Sequence, residues 1–267
     1  MGGHGFIGRR LIAHLTDDGD QCEVPSRRAG PSRLDWGHVI YAAGVTADFR
    51  TRPYDTVRSH VTDLMQVLDG GDFKSFLYLS TTRVYRGAAD TTEGQPLMVR
   101  SDDADQLYNL SKLMGESICL SINNPRVRVA RVSNVYSAEF SSPNFLDTLV
   151  DDAVSKKRVV LRTDLRSTKD YVHVDDVVRL LAAIARSGRH RIYNVASGEN
   201  VSNDALVERI RQVSGCTVEV VPAAPLVTFP VISIQRIRQE FSVRPASILG
   251  ELPRLVAAYR RSLGAAA

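Results

Sequence analysis

The strongest constraint on this chain is an alternation of short apolar runs with helix-periodic segments along most of its 267 residues. His38–Gly44 and Phe76–Thr82 are near-continuous apolar runs, the pattern of strands covered on both faces, and Val127–Val132 reads as another strand. Between and around them, Arg9–Asp17, Pro53–Leu68 and Tyr108–Ile122 have helical apolar spacing. Further helices are expected at Asn144–Ala153, Asp175–Arg186, Ser202–Gly215 and Glu251–Leu263, with short strands at Val159–Leu161, Tyr171–Val174, Arg191–Val195 and Cys216–Val221. Strands that alternate with helices build a parallel sheet. The expected class is α/β, a doubly wound parallel sheet with a smaller interleaved C-terminal lobe.

Three features carry chemistry. Gly2, Gly5 and Gly8 stand three apart immediately before the helical segment Arg9–Asp17. Glycines let a backbone turn tightly against a diphosphate, and the following helix start offers free N–H groups and a positive dipole end. The strand that normally precedes such a turn is absent from the chain as written. A start assigned too late is the favoured explanation, ahead of a fragment or of a gap filled by another segment or subunit. Such a chain is expected to fold poorly or to hold cofactor weakly. At the exit of the next segment, Ser26, Arg27 and Arg28 present a hydroxyl and two guanidiniums, which favour NADP over NAD at the adenosine ribose; a solvated basic loop is the plain alternative.

The third feature is Tyr108 and Lys112, four apart on one helix face, so that phenol and ammonium can share one space. An ammonium beside a phenol favours the phenolate, and such a tyrosine can pass a proton near neutral pH. Taken alone, the pair is most simply a solvated helix-face pair. Phe76–Thr82 ends in the hydroxyls of Ser80, Thr81 and Thr82, and His38–Gly44 ends in the small residues Ala42, Ala43 and Gly44. Ligands of parallel sheets bind outside such strand ends.

The chain's 24% charged residues and net charge of +4 are spread rather than gathered into a stripe. That fits an anionic small molecule and argues against nucleic acid. Three cysteines without metal-like spacing read as buried thiols of a reducing compartment. No metal site is expected. No apolar run reaches membrane-spanning length and no signal-peptide layout opens the chain, so a cytoplasmic location without membrane contact is expected.

In order and spacing, Gly2–Gly8, Ile40–Gly44, Leu79–Tyr85, Tyr108–Lys112, Arg131–Tyr136 and Lys169–Asp176 resemble the extended short-chain dehydrogenase/reductase family, in its group of NAD(P)-dependent nucleotide-sugar epimerases, dehydratases and reductases. The resemblance implies a Rossmann-type fold, with residues 1–135 and 165–190 binding the dinucleotide. Residues 136–164 and 191–267 would then form the smaller substrate lobe. It implies that Tyr108 is the general acid/base, that Lys112 lowers its pKa and meets the nicotinamide ribose, and that the Thr81 hydroxyl bonds the reacting oxygen. Gly2, Gly5, Phe6, Ile7 and Gly8 would hold the cofactor diphosphate, with Ala42 and Ala43 on the adenosine side. Thr82, Asn134, Asn144 and Lys169 would meet a nucleotide-sugar substrate. A homodimer is implied, through a four-helix contact that includes the helix carrying Tyr108.

Departures from the family pattern shape the expected reaction. Dehydratases carry an Asp-Glu pair after the threonine, because elimination needs an additional acid and base; here Thr82 and Arg83 stand there. An Asn-Val pair becomes His60-Val61, an arginine becomes Lys169, and a C-terminal arginine and aspartate have no clear counterpart in Phe229–Phe241. An epimerase is expected first and an NADPH-dependent 4-keto-sugar reductase second. From another class, a non-catalytic dinucleotide-binding sensor or structural subunit is the alternative; an activated phenol would be superfluous to it.

Overall fold

The computed structural model describes residues 1–25, 35–46, 48–69, 72–139 and 144–265, without the side chains of Asp35 and Ala265. The glycine turn leads into α1 (Phe6–Asp17). Strand β1 (Asp35–Tyr41) follows, then α2 (Pro53–Val57) and α3 (Asp63–Asp69), joined through a widened π turn at Arg58–Thr62. Next come β2 (Asp72–Thr81), α4 (Leu107–Ser121), β3 (Val127–Val132), β4 (Asn134–Tyr136) and α5 (Phe145–Asp151). The second half holds β5 (Arg158–Leu161), β6 (Thr168–His173), α6 (Val174–Ser187), β7 (Ile192–Val195) and β8 (Asn200–Ser202). It closes with α7 (Asn203–Ser214), β9 (Thr217–Val220), α8 (Gln235–Phe241) and α9 (Ile248–Ala265).

The main sheet is parallel throughout, in the order β1-β2-β3-β7. Both of its faces are covered, which is why its strands are apolar at consecutive positions. Along β2, Leu77 and Leu79 join a core with α1 and α6, while Phe76 and Tyr78 join a second core with α3 and α4. A third core gathers α5, α7, α9 and the β5–β9 pair. A three-stranded sheet, β4-β6-β8, lies at the carboxyl end of β3.

The two segments are more deeply interleaved than their boundaries in sequence. β7, within 191–267, completes the main sheet beside β3, whereas β6, within 165–190, pairs with β4 and β8. The strand expected to begin at Cys22 is not formed over residues 22–25; Val24 instead packs its side chain against Gly3. Ahead of the glycine turn, the Met1 amine donates to the Ile40 carbonyl at 3.0 Å, and the Met1 carbonyl accepts from Ala42 N at 3.0 Å. These two bonds seat the turn beside the carboxyl end of β1.

Candidate active site

The carboxyl ends of β1, β2 and β3 open into one cleft of about 650 Å³, the location that parallel α/β sheets reserve for ligands. Gly5, Phe6, Ile7, Gly8, Ala42 and Ala43 line one end. Thr81, Thr82, Tyr108 and Lys112 occupy the middle, and Asn134, Asn144 and Lys169 the far end. Gly2 lies behind this wall with φ +76°, and a Cβ there would approach the Ala42 carbonyl carbon and Ala43 nitrogen at 2.6 Å. A Cβ at Gly8 would meet the Gly2 carbonyl oxygen at 2.2 Å. The turn is therefore closed at Gly2 and Gly8, whereas exposed Gly5 meets only that same oxygen, at 3.3 Å. Gly5 caps α1 without a side chain, and no acidic residue occupies the helix's first turn. Free N–H groups at a positive helix end, unopposed by carboxylates, fit a dinucleotide diphosphate. Ser26, Arg27 and Arg28 lie outside the described residues.

Strand β2 delivers Thr81, whose hydroxyl accepts from Arg83 N at 3.1 Å and lines the cleft beside Tyr108. Helix α4 carries Tyr108 and Lys112 inward, 8% and 4% exposed, so the solvated-pair reading does not hold. α4 packs closely because of Gly115, where a Cβ would lie 2.5 Å from the Tyr78 hydroxyl and 2.8 Å from the His60 carbonyl. Lys112 Nζ donates to the Leu79 carbonyl at 2.8 Å.

Burial pushes the Tyr108 phenol up to about 12, while the Arg83 guanidinium and the Thr81 hydrogen bond pull it down. Burial also lowers Lys112 to about 7, against the pull of Glu116. The Arg83 guanidinium acts on the phenol, and the Lys112 ammonium donates to a backbone carbonyl. The Arg83 guanidinium stands 5.9 Å from the Tyr108 ring centre and 5.3 Å from that of Phe49. Phe49 in turn packs on Tyr108, with centroids 5.3 Å apart.

His60 was expected as a structural histidine, and it is fully buried in the π turn. Its Nδ1 pairs with the Ser111 hydroxyl at 2.8 Å, and its ring meets Tyr108 edge-on at 5.3 Å. Burial and the neighbouring Lys112 ammonium lower it to about 2, so it is neutral at neutral pH. Beneath the site, Glu116 accepts from Arg131 at 2.7 Å and from the Ser80 hydroxyl at 2.5 Å, which gives Ser80 a structural task.

Two substrate-side residues are partly committed within the fold. Asn144 caps α5, its Oδ1 accepting from Asp147 N at 2.9 Å, and Asn134 Nδ2 donates to the Asp170 carbonyl at 2.8 Å. Lys169 Nζ stands 4.2 Å from the Phe145 ring centre. Phe49, Arg50, Arg86, Asp105 and the segment Val227–Ile232 also reach the cleft. None had a local signal in the sequence.

The model of the NAD dependent epimerase/dehydratase family matches residues 31–196, more than half of the chain. A dTDP-glucose 4,6-dehydratase of Streptomyces griseus is 30% identical over 210 residues, 74% of this chain and 61% of its own length. The chain thus spans less than two thirds of that relative. Among solved structures, RMD from Pseudomonas aeruginosa complexed with NADPH superposes with a TM-score of 0.79 at 22% identity, covering 97% of both chains. The UDP-glucose 4-epimerase of Thermotoga maritima with UDP-glucose superposes with a TM-score of 0.77 at 18% identity, covering 98% of both. These two carry the Rossmann-type fold alone. With a matched model over most of the sheet, a glycine turn suited to a dinucleotide, and the Thr81–Tyr108–Lys112 cluster at the strand ends, this chain belongs to the NAD dependent epimerase/dehydratase family.

Proposed function

We propose that this chain oxidises and reduces a ring carbon of a nucleotide sugar, most directly as an epimerase, with an NADPH-dependent keto-sugar reductase as the nearest variant. The observation that carries this reading is the meeting of Thr81 with buried Tyr108 and Lys112 in one cleft, with no carboxylate at positions 82 and 83. The bound nicotinamide supplies the hydride acceptor and donor. Tyr108 takes the hydroxyl proton of the substrate carbon during oxidation and returns it during reduction. The Thr81 hydroxyl orients that oxygen, and Lys112, together with Tyr108, holds the nicotinamide ribose. Asn134, Asn144 and Lys169 meet the nucleotide diphosphate side of the substrate, beside Thr82.

Dehydration is the second reading, favoured by the name of the Streptomyces griseus relative. Elimination needs an acid and a base at neighbouring carbons. The cleft's carboxylates are otherwise engaged: Asp105 with Arg50 at 2.7 Å, and Asp170 with the Ser197 hydroxyl at 2.7 Å and Gly198 N at 2.8 Å. The test is incubation of the purified chain with NAD or NADPH and a panel of nucleotide sugars, followed by mass and NMR analysis. A stereoisomer of unchanged mass supports the epimerase, consumption of NADPH with a keto-sugar supports the reductase, and loss of water overturns both in favour of dehydration.

A homodimer is part of the proposal. Tyr54, Val57, Met65 and Met114 are exposed large apolar residues on α2, α3 and α4, of which α4 is the helix that the family resemblance places in a four-helix contact. No helix among the described residues is long and apolar enough to cross a membrane, and the three free cysteines suit a reducing cytoplasm.

A further inference from the structure

One half-buried charge in the cleft lies beside the phenol without a counter-ion of its own. Arg83 follows Thr82 in the tight turn after β2, and its backbone N–H is tied to the Thr81 hydroxyl, so its position is coupled to the reacting centre. Its guanidinium rests against Phe49 and Tyr108, and its Nε is buried without a hydrogen-bond partner. Its one side-chain bond is a long 3.4 Å contact from Nη2 to the Asp105 carbonyl. Among the described residues it forms no ion pair; the neighbouring Asp105 carboxylate is bound to Arg50 at 2.7 Å.

The surroundings make this charge costly. Burial and the nearby Arg50 and Arg86 lower its pKa, and Arg83 in turn lowers that of Lys169, so two cations repel one another across the cleft. A partly buried guanidinium without a counter-charge persists at a real cost, and an anion placed there would recover it. Arg83 lines the same cleft as Thr81 and Tyr108, its guanidinium 5.9 Å from the Tyr108 ring centre. Lys169 and Asn134, at the far end, remain for the diphosphate.

Resting on the proposed function, we infer that the sugar carries a carboxylate, that the substrate class is a nucleoside-diphospho-uronic acid, and that Arg83 is the residue that selects it. The planar guanidinium matches a carboxylate through two parallel hydrogen bonds, a geometry that lysine lacks.

The test measures dissociation constants of the NAD-loaded protein for matched pairs: UDP-glucuronate with UDP-glucose, and GDP-mannuronate with GDP-mannose. The uronate is expected to bind about tenfold or more tightly than its neutral partner in at least one pair, the scale of a charge-assisted contact worth ~1.4 kcal/mol. In Arg83→Gln that ratio falls towards one, and in Arg83→Lys it falls part of the way. Equal affinity within every pair overturns the inference and leaves the proposed function standing. An equal loss for both members in Arg83→Gln also overturns it, since Arg83 would then serve the shared diphosphate. No binding of any nucleotide sugar overturns both. If Arg83→Gln does not fold, the wild-type ratio and Arg83→Lys decide.

Discussion

Lys112 donates from its ammonium to the Leu79 carbonyl at 2.8 Å, two residues before Thr81. The lysine is thereby tied to the same strand that presents Thr81, and α4 and β2 hold the reacting groups as one unit. Burial lowers this lysine from 10.5 to about 7. Between those values the unfolded chain binds the additional proton, so stability should rise with pH from about 7 to 10.5. Lys112→Met should remove that one-proton slope and lower turnover by about two orders of magnitude or more. Melting curves across this pH range, with and without the substitution, check the first part, and steady-state rates the second.

Tyr108→Phe removes the phenol while keeping the ring contacts with Phe49 and His60. Turnover should fall by about 10² to 10⁴, and the melting free energy should change by no more than about 1.5 kcal/mol, the worth of one hydrogen bond. Retained turnover would refute the catalytic assignment.

Because Tyr108 lies near 12 and Arg83 pulls it down, the rate of substrate oxidation should rise with pH as phenolate accumulates. Arg83→Gln should shift that rise to higher pH. A kcat/KM profile measured on both proteins reads the displacement directly; coincident profiles would remove Arg83 from the electrostatics of the phenol.

His60 is lowered to about 2 from an ordinary value of 6.5. The unfolded chain therefore takes up a proton on this histidine as pH falls below about 6.5, whereas the folded chain does not, and stability declines towards acid. His60→Asn should make the acid limb of the stability curve shallower by up to one proton. Chemical denaturation between about pH 4 and 7 provides the comparison.

Gly115→Ala places a Cβ 2.5 Å from the Tyr78 hydroxyl and 2.8 Å from the His60 carbonyl. The tyrosine can give way, but the backbone of the π turn cannot do so freely. A loss of about 1–3 kcal/mol of stability is expected, together with weakened cofactor binding as α4 is pushed off β2. Thermal melting and dinucleotide titration of this variant would separate the two effects.

Much of the fold was legible in local pattern. The strand Val127–Val132 is buried at every position, and Phe76–Thr81 sends alternate residues into two cores; Phe76–Thr82 read as a central strand because its apolar run leaves neither face for water. Tyr108 and Lys112 were likewise legible, since a fixed spacing of four on a helix commits both to one face. Missed were β4, β8 and α8, of three, three and seven residues, too short for any period to stand out. The π turn at Arg58–Thr62 also lay hidden, because it continues helical composition without a break.

The sequence by itself determined the alternating α/β order, the glycine turn before α1, and the spacing that brings phenol and ammonium onto one helix face, because these depend on residues close together in the chain. Only the tertiary structure decided how those groups are charged. Tyr108, Lys112 and Arg83 acquire their electrostatic character from burial and from partners such as Leu79, Thr81, Phe49 and Asp105 that the packing of β2 and α4 brings together. Desolvation and long-range contact leave no mark in a local pattern. For that reason Lys112 alone stood out beside the phenol in the sequence, and the nearness of Arg83 emerged only in the fold.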